Sequence, residues 1–363
     1  ALIGNPPYDV LSEKETGHDL SAFKRFIASQ ARYEPSIRGK NNLYKLFICQ
    51  ALHLLAEGGR LGFIVPMPLL GDDQAADIRR AIFKVGAFES VEAFPQKDNA
   101  DRRVFPEAKL STTAFTLVKT SDIARKKQPF MSRVHPAQYI EATSPSLKLS
   151  TGHIPLYDPE NLTIVSCSQA DWDLAVKVTG SGRMKRLGVF CTSFQGEVNE
   201  TVEALRGNIA TRSNEGPLIM RGANVCLYVL RQASQGEALY LREAKFLDGK
   251  SAKSKAFHSR QKRVGFQRSA PQNNFRRVVA ALMDDGNYCF DTVSYVPASE
   301  SQVPLEFIVG LLNSKMLDWY FRLGSTNSKV NEYQFNNFPC PEFGNSGEPE
   351  RKFLALAVKD LDR

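Results

Sequence analysis

The sequence predicts an α/β protein: an open, mostly parallel sheet in the first third of the chain, then a second region of mixed α+β character. Three observations carry that expectation. Apolar strand-like runs alternate with helix-like runs from residue 1 to 122, as in a sheet whose strands are joined by helical crossovers. Residues 123–152 turn polar and basic, with Arg125-Lys126-Lys127-Gln128-Pro129 ahead of a Ser/Thr/Pro-rich run, and read as a linker. From 153 to 345 the strands shorten and the turns become polar, and 346–363 reads as a C-terminal helix or tail.

The elements follow in order. Ala1-Leu2-Ile3 reads as the end of a strand that runs into the loop Gly4-Asn5-Pro6-Pro7-Tyr8. The chain lacks an initial Met and opens inside an apolar segment, so it is expected to be a piece of a longer protein. Residues 9–40 are polar and carry Lys24, Arg25, Arg32, Arg38 and Lys40. Residues 42–57 are apolar on most faces, which predicts a buried helix. Gly58-Gly59 ends it, because glycine tolerates the left-handed conformation that follows a helix. Arg60 to Pro66 reads as a short apolar strand, 72–85 as a helix, and 90–94 and 111–119 as further strands. In the second region no acidic residue occurs between Lys250 and Met283, and a helix is expected at 304–320.

Composition narrows the function classes. With 363 residues, 42% hydrophobic and 24% charged, the chain is ordinary globular material sufficient for two cores. The best apolar run, Leu61 to Leu70, is too short for a membrane span and holds two prolines, and the N-terminus has no secretory pattern. The six cysteines are scattered, without C-x-x-C or His at ligand spacing. That predicts neither a zinc site nor a disulfide framework, but a reducing, cytoplasmic (nucleoid-associated) setting. His18, His53, His135, His153 and His258 form no pair suggestive of catalysis or metal binding, so no metal is expected. Glu243-x-Lys245 resembles half of a nuclease motif, but no Asp stands on a preceding strand; an endonuclease domain or subunit would lie outside this chain. The net charge of +8 suits a polyanionic partner.

The loop Asn5-Pro6-Pro7-Tyr8 carries chemistry. With Pro at about 5% of residues, it is expected by chance in roughly one in a thousand chains of this length. An exocyclic amine of adenine has two N–H donors. The Asn5 side-chain oxygen accepts one and the Pro6 carbonyl the other, while the prolines fix φ and remove competing N–H groups. The nitrogen is thereby drawn toward tetrahedral geometry, with its lone pair facing an electrophilic methyl group. Preorganised acceptors of this kind favour the transition state. The amine is inaccessible inside a duplex, so the base must be flipped out and stacked, and Tyr8 is placed as the platform.

GNPPY (4–8), then NNLYKLFICQALHLLAEGGRLGFIVP, then VFPEAKLSTTAFTLVK, resembles the adenine-N6 DNA methyltransferases of type II and type IIG restriction–modification systems, in which those motifs occur in the same order. The resemblance implies the C-terminal half of a class I (Rossmann-like) S-adenosylmethionine-dependent sheet. S-adenosylmethionine is then the methyl donor, and Asn5, Pro6, Pro7 and Tyr8 are the catalytic loop. It also implies a second aromatic against the flipped base, on the strand matching 111–119. Phe115 is the aromatic there, although a different register places Leu117 at that position. The family's Gly-rich donor loop is expected upstream of Ala1, which leaves the donor-binding residues unassigned and this stretch alone inactive. Phe343-Gly344-Asn345-Ser346-Gly347 fits that loop poorly, having no convincing preceding strand.

The second region resembles the TaqI-like target-recognition domain of the same enzymes, in PLIMRGANVCLYV (217–229), RVGFQRSA (263–270), DDGNYCFDTVSYV (284–296) and the run from Phe307 to Pro341. The resemblance implies double-stranded DNA as partner. The acid-free segment reads as a phosphate track, with Lys253, Lys255, Lys262, Arg263, Arg276 and Arg277 as contacts. Arg221, Arg263, Gln267, Arg268, Asn327 and Lys329 are candidates to reach base edges. The reading from sequence is a site-specific adenine-N6 DNA methyltransferase. A methyltransferase of the same fold acting on RNA or on a protein amide, or an inactive DNA-specificity module, remains as the alternative.

Overall fold

The computed structural model describes residues 1–231, 236–271, 273–325 and 328–341. Asn327, Phe343-Gly344-Asn345-Ser346-Gly347 and the expected tail at 346–363 lie outside the described residues. The chain divides into two compact units, Ala1–Gly180 with Leu323–Thr326, and Ser181–Arg322 with Asn327–Arg363.

The first unit is built on six strands: β1 (Leu2–Gly4), β2 (Arg60–Pro66), β3 (Gly86–Phe94), β4 (Thr112–Lys119), β5 (Phe130–Val134) and β6 (Ser146–Leu149), in the order β1-β2-β4-β3-β5-β6. β1, β2, β3 and β5 run one way, while β4 and β6 run against them. Three of the five neighbour pairings are therefore antiparallel, and the sheet is mixed rather than mostly parallel. The reason lies in the connections. A parallel return needs a crossover that packs on the sheet, normally a helix. The β3–β4 connection holds Pro95 and Pro106 and forms one short 3-10 turn, so β4 comes back antiparallel between β2 and β3.

The expected linker at 123–152 supplies β5 and β6. Its apolar residues alternate: Phe130, Leu147 and Leu149 are buried, while Met131 and Lys148 face outward. This period of two is the signature of a half-buried strand, and the flanking charged and Ser/Thr-rich residues obscure it. The unit boundary falls after Gly180 rather than at 152.

Helices α1 (Glu13–Thr16), α2 (Ser21–Ser29), α3 (Leu43–Leu54) and α4 (Ala76–Val85) belong to this unit. In α3, Tyr44, Leu46, Ile48, Cys49, Ala51 and Leu52 are buried, as its all-round apolarity requires. Lys45 is buried with them; its ammonium donates to the carbonyls of Arg38 at 2.7 Å and Gln74 at 3.3 Å. Arg79 of α4 does the same for other loops, donating to the carbonyls of Asn161, Leu69 and Asp72. These two cations fix loops on the core, because a buried charge persists only when its donors are satisfied.

The second unit holds a four-stranded antiparallel sheet in the order Ala280–Met283, Arg263–Gln267, Val293–Pro297, Phe194–Gln195. The helix expected at 304–320 is two helices, Leu305–Leu312 and Lys315–Gly324. Between them the Asn313 amide turns toward the sheet. Its oxygen accepts from the Ala280 N–H at 2.9 Å and its nitrogen donates to the Ala280 carbonyl at 2.8 Å, completing the pairing of an edge strand. No helix among the described residues is long and apolar enough to cross a membrane.

Candidate functional site

The Asn-Pro-Pro-Tyr loop leaves the C-terminal end of β1, beside the C-terminal end of its parallel partner β2. In open α/β sheets, ligands gather outside that edge. The loop's exit is anchored to the start of α3: Leu43 N–H donates to the Asp9 carbonyl at 2.9 Å, and Leu11 N–H to the Asn41 carbonyl at 2.8 Å. Asn5 is exposed and Pro6 is buried. Among the described residues no group donates to the Pro6 carbonyl, so that acceptor is available. The Tyr8 hydroxyl lies 2.7 Å from Asn5 Oδ1 and 3.1 Å from the Ile64 carbonyl. Its single proton serves one of them at a time. Burial pushes the Tyr8 phenol up to about 12, so it remains a donor across the physiological range.

The partner of the Tyr8 ring is not on β4. Phe115 is only 1% exposed, packed edge-to-face against Phe63 and Phe88, and Leu117 is equally buried. The alternation of β4 turns both toward the core, and Phe115 also contributes to the lining of a cavity on the sheet face. Phe105 does stand near Tyr8, with ring centroids 6.0 Å apart and planes at 65°. It sits on the loop before β4 and is partly exposed. The loop is set by the Arg103 guanidinium donating to the Pro106 carbonyl at 2.8 Å and by the Ala108 N–H donating to the Phe105 carbonyl at 3.1 Å. Phe105 is not among the aromatics expected from the sequence, which places the ring on the strand 111–119. The available signal was an aromatic inside Val104-Phe105-Pro106, ahead of the strand that adjoins β2.

On the sheet face near β1 lies an apolar cavity of about 520 Å³, lined among others by Ile3, Gly4, Phe63, Ala114 and Glu92. Glu92 is already engaged, by Arg133 at 2.7 Å and by His135 Nε2 at 2.8 Å. The Nδ1 of that buried histidine lies 2.9 Å from Ser144 Oγ and accepts from the Glu141 N–H at 3.2 Å. This is a structural polar knot, and no methyl-donor residues are assigned from it.

The DNA candidates of the second unit separate into internal and outward-facing groups. Arg263 is fully buried, paired with the equally buried Glu197, bonded to the Asn287 carbonyl and stacked 4.8 Å over the Tyr295 ring. It occupies a central strand with its side chain inward, where its burial leaves it no surface to offer a phosphate or a base. Arg277 is buried too, donating to the Ala270 carbonyl at 3.1 and 2.9 Å. Arg276 holds the carbonyls of Asn313 and Ser314, and Lys255 those of Gln195 and Gly196. Arg221 bonds Glu200 and the Glu237 carbonyl, and Gln267 donates to the Val225 carbonyl at 2.7 Å. The acid-free segment is therefore largely a set of internal staples. Lys253, Lys262 and Lys329 are exposed, and the half-buried Arg268 has no hydrogen bond or ion pair from its guanidinium among the described residues. Lys262 stands 3.6 Å from the exposed Asp284, a solvent-screened pair of little strength. Glu243 and Lys245 also have structural roles: Glu243 accepts from the Tyr288 hydroxyl, and Lys245 donates to the Arg206 carbonyl.

The fold and the site together define an α/β sheet with an Asn-Pro-Pro-Tyr loop at the C-terminal edge of its parallel strands β1 and β2. The DNA-complex structure of the Type IIL restriction-modification enzyme MmeI superposes with a TM-score of 0.56 at 13% identity, covering 99% of this chain and 49% of that one; likeness at that identity concerns the fold alone. In sequence, residues 1–99 match the family described as Eco57I restriction-modification methylase. The Type II methyltransferase M.TthHB8I of Thermus thermophilus is 31% identical over 88 residues, 24% of this chain and 20% of that protein. The Type II methyltransferase M.AccI of Acinetobacter calcoaceticus is 24% identical over 127 residues, 35% of this chain and 22% of that protein. The matched stretch thus spans about a fifth of each curated relative.

Proposed function

We propose that this chain carries the target-base side of a site-specific DNA methyltransferase of a restriction–modification system, which transfers a methyl group from S-adenosylmethionine to N6 of an adenine flipped out of duplex DNA. The observation that carries the reading is the Asn-Pro-Pro-Tyr loop itself at the end of β1, with Asn5 exposed, no donor to the Pro6 carbonyl among the described residues, and the rings of Tyr8 and Phe105 in edge contact. A flat amine held by two fixed acceptors, next to aromatic faces, presents its lone pair without prior deprotonation. The match of residues 1–99 to a restriction-modification methylase family supports the same chemistry. S-adenosylmethionine supplies the methyl group. Asn5 and Pro6 orient the amine, Pro7 rigidifies the loop, and Tyr8 with Phe105 encloses the base.

The choice of Phe105 over Phe115 is testable in the methylation-competent protein. Phe105→Ala is expected to lower kcat/KM roughly 5- to 150-fold, the range that one base–aromatic stack carries, with little change in thermal stability. Phe115→Ala is expected instead to destabilise the fold by about 3–5 kcal/mol, as for other buried Phe truncations. Methyl-transfer kinetics and chemical denaturation on both variants separate the roles. If Phe105→Ala were silent in kinetics, the ring would have no part in holding the base.

The second unit is the site-choosing part in this reading, with Lys253, Lys262, Arg268 and Lys329 as its outward cations. Neutralising Lys253, Lys262 and Arg268 together is expected to reduce the slope of log K against log salt by about 2–3, near 0.9 per phosphate contact. Anisotropy titrations of a labelled duplex between about 50 and 200 mM salt measure it. An unaltered slope would remove those three residues from the interface.

A further inference from the structure

The residue in the second unit most at odds with its surroundings is Phe275. Its side chain is 95% exposed, more than any other large hydrophobic residue found exposed in the described chain. A single exposed apolar residue is ordinary on a protein surface and by itself means nothing. What is unusual here is how its backbone is held. The Arg322 guanidinium donates to the carbonyls of Asn274 at 2.8 Å and of Phe275 at 3.0 Å. Arg322 is itself fixed by Asp318, 2.8 Å from Nε, and the other oxygen of Asp318 accepts from the N–H groups of Arg277 at 2.6 Å and Val278 at 2.9 Å. Arg277 closes the loop from the far side by donating to the Ala270 carbonyl, with its guanidinium 4.5 Å over the Phe321 ring. Within the loop, the Asn274 N–H donates to the Pro271 carbonyl at 3.1 Å.

Three charged side chains thus hold the backbone around Phe275, whose ring is 95% exposed and has no ring or cation partner among the described residues. Such a clamp fixes the backbone from which the ring projects before anything binds, which lowers the backbone part of the ordering cost that a mobile loop would meet on binding. The loop also lies within the acid-free segment. The half-buried Arg268 stands two residues before Ala270, at the root of the loop, and the segment with exposed Lys329 pairs there: Ala270 N–H donates to the Ser328 carbonyl at 2.7 Å, and Ser269 bridges Lys329. An aromatic tip with cations at its base, and no carboxylate in the surrounding sequence, suits a polyanion that also offers flat apolar faces. Duplex nucleic acid does so, since its base steps admit an apolar wedge while its phosphates meet the flanking charge.

We propose that Phe275 is a stacking wedge that enters the base stack of duplex DNA from the second unit, unstacking one step as the protein docks. This rests on the reading of that unit as a DNA-binding one. Within it, Phe275 is a positioning residue: it holds the duplex in a deformed state and does not touch the reacting amine. Insertion between bases requires the helix to open locally, which is least unfavourable at flexible pyrimidine–purine steps. The bound site is therefore enriched in such a step under the wedge.

The test uses the 363-residue chain with duplexes selected by binding from a random-sequence library, labelled with 2-aminopurine across the selected site. Wild-type protein is expected to bind and to raise 2-aminopurine fluorescence through unstacking. Phe275→Ala is expected to keep its folded spectrum, to lose roughly 5- to 150-fold in affinity and to abolish the fluorescence rise at the wedged step, leaving only the separate rise of the flipped target base. Phe275→Trp is expected to restore both, with its indole emission quenched on binding. If wild-type protein binds no duplex, the assignment of the unit to DNA falls and the wedge with it. If it binds, and Phe275→Ala matches it in affinity and fluorescence, the wedge alone is overturned. That second result would assign the exposed ring to another kind of contact.

Discussion

Replacing Asn5 by alanine is expected to lower kcat for methyl transfer by about 10²–10³-fold, the effect of deleting one preorganised hydrogen-bonding group aimed at developing charge. The dissociation constant for duplex DNA is expected to stay near its wild-type value. Asn5 is exposed and anchors no core residue, so the fold has little dependence on it. In the unliganded site its amide oxygen accepts from the Tyr8 hydroxyl at 2.7 Å. That oxygen has two lone pairs, and an incoming amine takes the second, or takes over the first as Tyr8 swings its proton to the Ile64 carbonyl 3.1 Å away. While it donates to Oδ1, the hydroxyl fixes which end of the Asn5 amide it faces. Single-turnover transfer of labelled methyl groups in the methylation-competent protein, with anisotropy for DNA affinity, separates chemistry from binding. Wild-type kcat in Asn5→Ala would remove the two-acceptor mechanism. A parallel loss of DNA affinity would mean that the loop serves docking instead.

Much of this architecture was legible in the residues, and the failures share a cause. The apolar run of α3, the strand Arg60–Pro66 and the rigid loop after β1 announce themselves through local chemistry: all-round apolarity, a glycine stop, two adjacent prolines. Sheet direction is not local. Nothing within Thr112–Lys119 states that it will insert antiparallel between β2 and β3. The strands β5 and β6 were hidden because a period-2 pattern of four or five residues is weak beside a run of charges. Phe115 and Phe105 are ten residues apart and of one type, and only the turn of β4 decides which enters the core. The basic residues were hardest to place. A guanidinium that meets a phosphate and one that meets a buried carboxylate or a loop carbonyl are the same residue in sequence. Here Arg263, Arg276 and Arg277 turn inward, and Arg268 does not.

Arg263 is where that distinction has its largest measurable consequence. Its guanidinium and the Glu197 carboxylate are both fully buried, and the second Glu197 oxygen accepts from the Cys289 N–H at 2.9 Å. Arg263→Met is expected to destabilise the protein by about 3–5 kcal/mol, because it strands a buried carboxylate rather than because the pair itself is strongly stabilising. The double change Arg263→Met with Glu197→Leu is accordingly expected to recover most of the loss. A pH signature accompanies the single variant. Burial already holds the Glu197 carboxyl above its ordinary value against the opposing pull of Arg263. Without the guanidinium the folded form keeps a proton that the unfolded chain releases above about pH 4.3. The deficit is then small while wild-type Glu197 is itself protonated and grows as pH rises from the wild-type folded value toward the higher value of the variant. Denaturant midpoints at acidic and neutral pH for wild type and both variants measure this. A pH-independent deficit, or a double variant no more stable than the single, would show that the loss comes from packing around Tyr295 and not from the stranded charge. A loss of DNA binding in Arg263 variants would accordingly report unfolding. Arg268, half-buried and with no partner for its guanidinium among the described residues, is the residue at which removing a charge tests the interface itself.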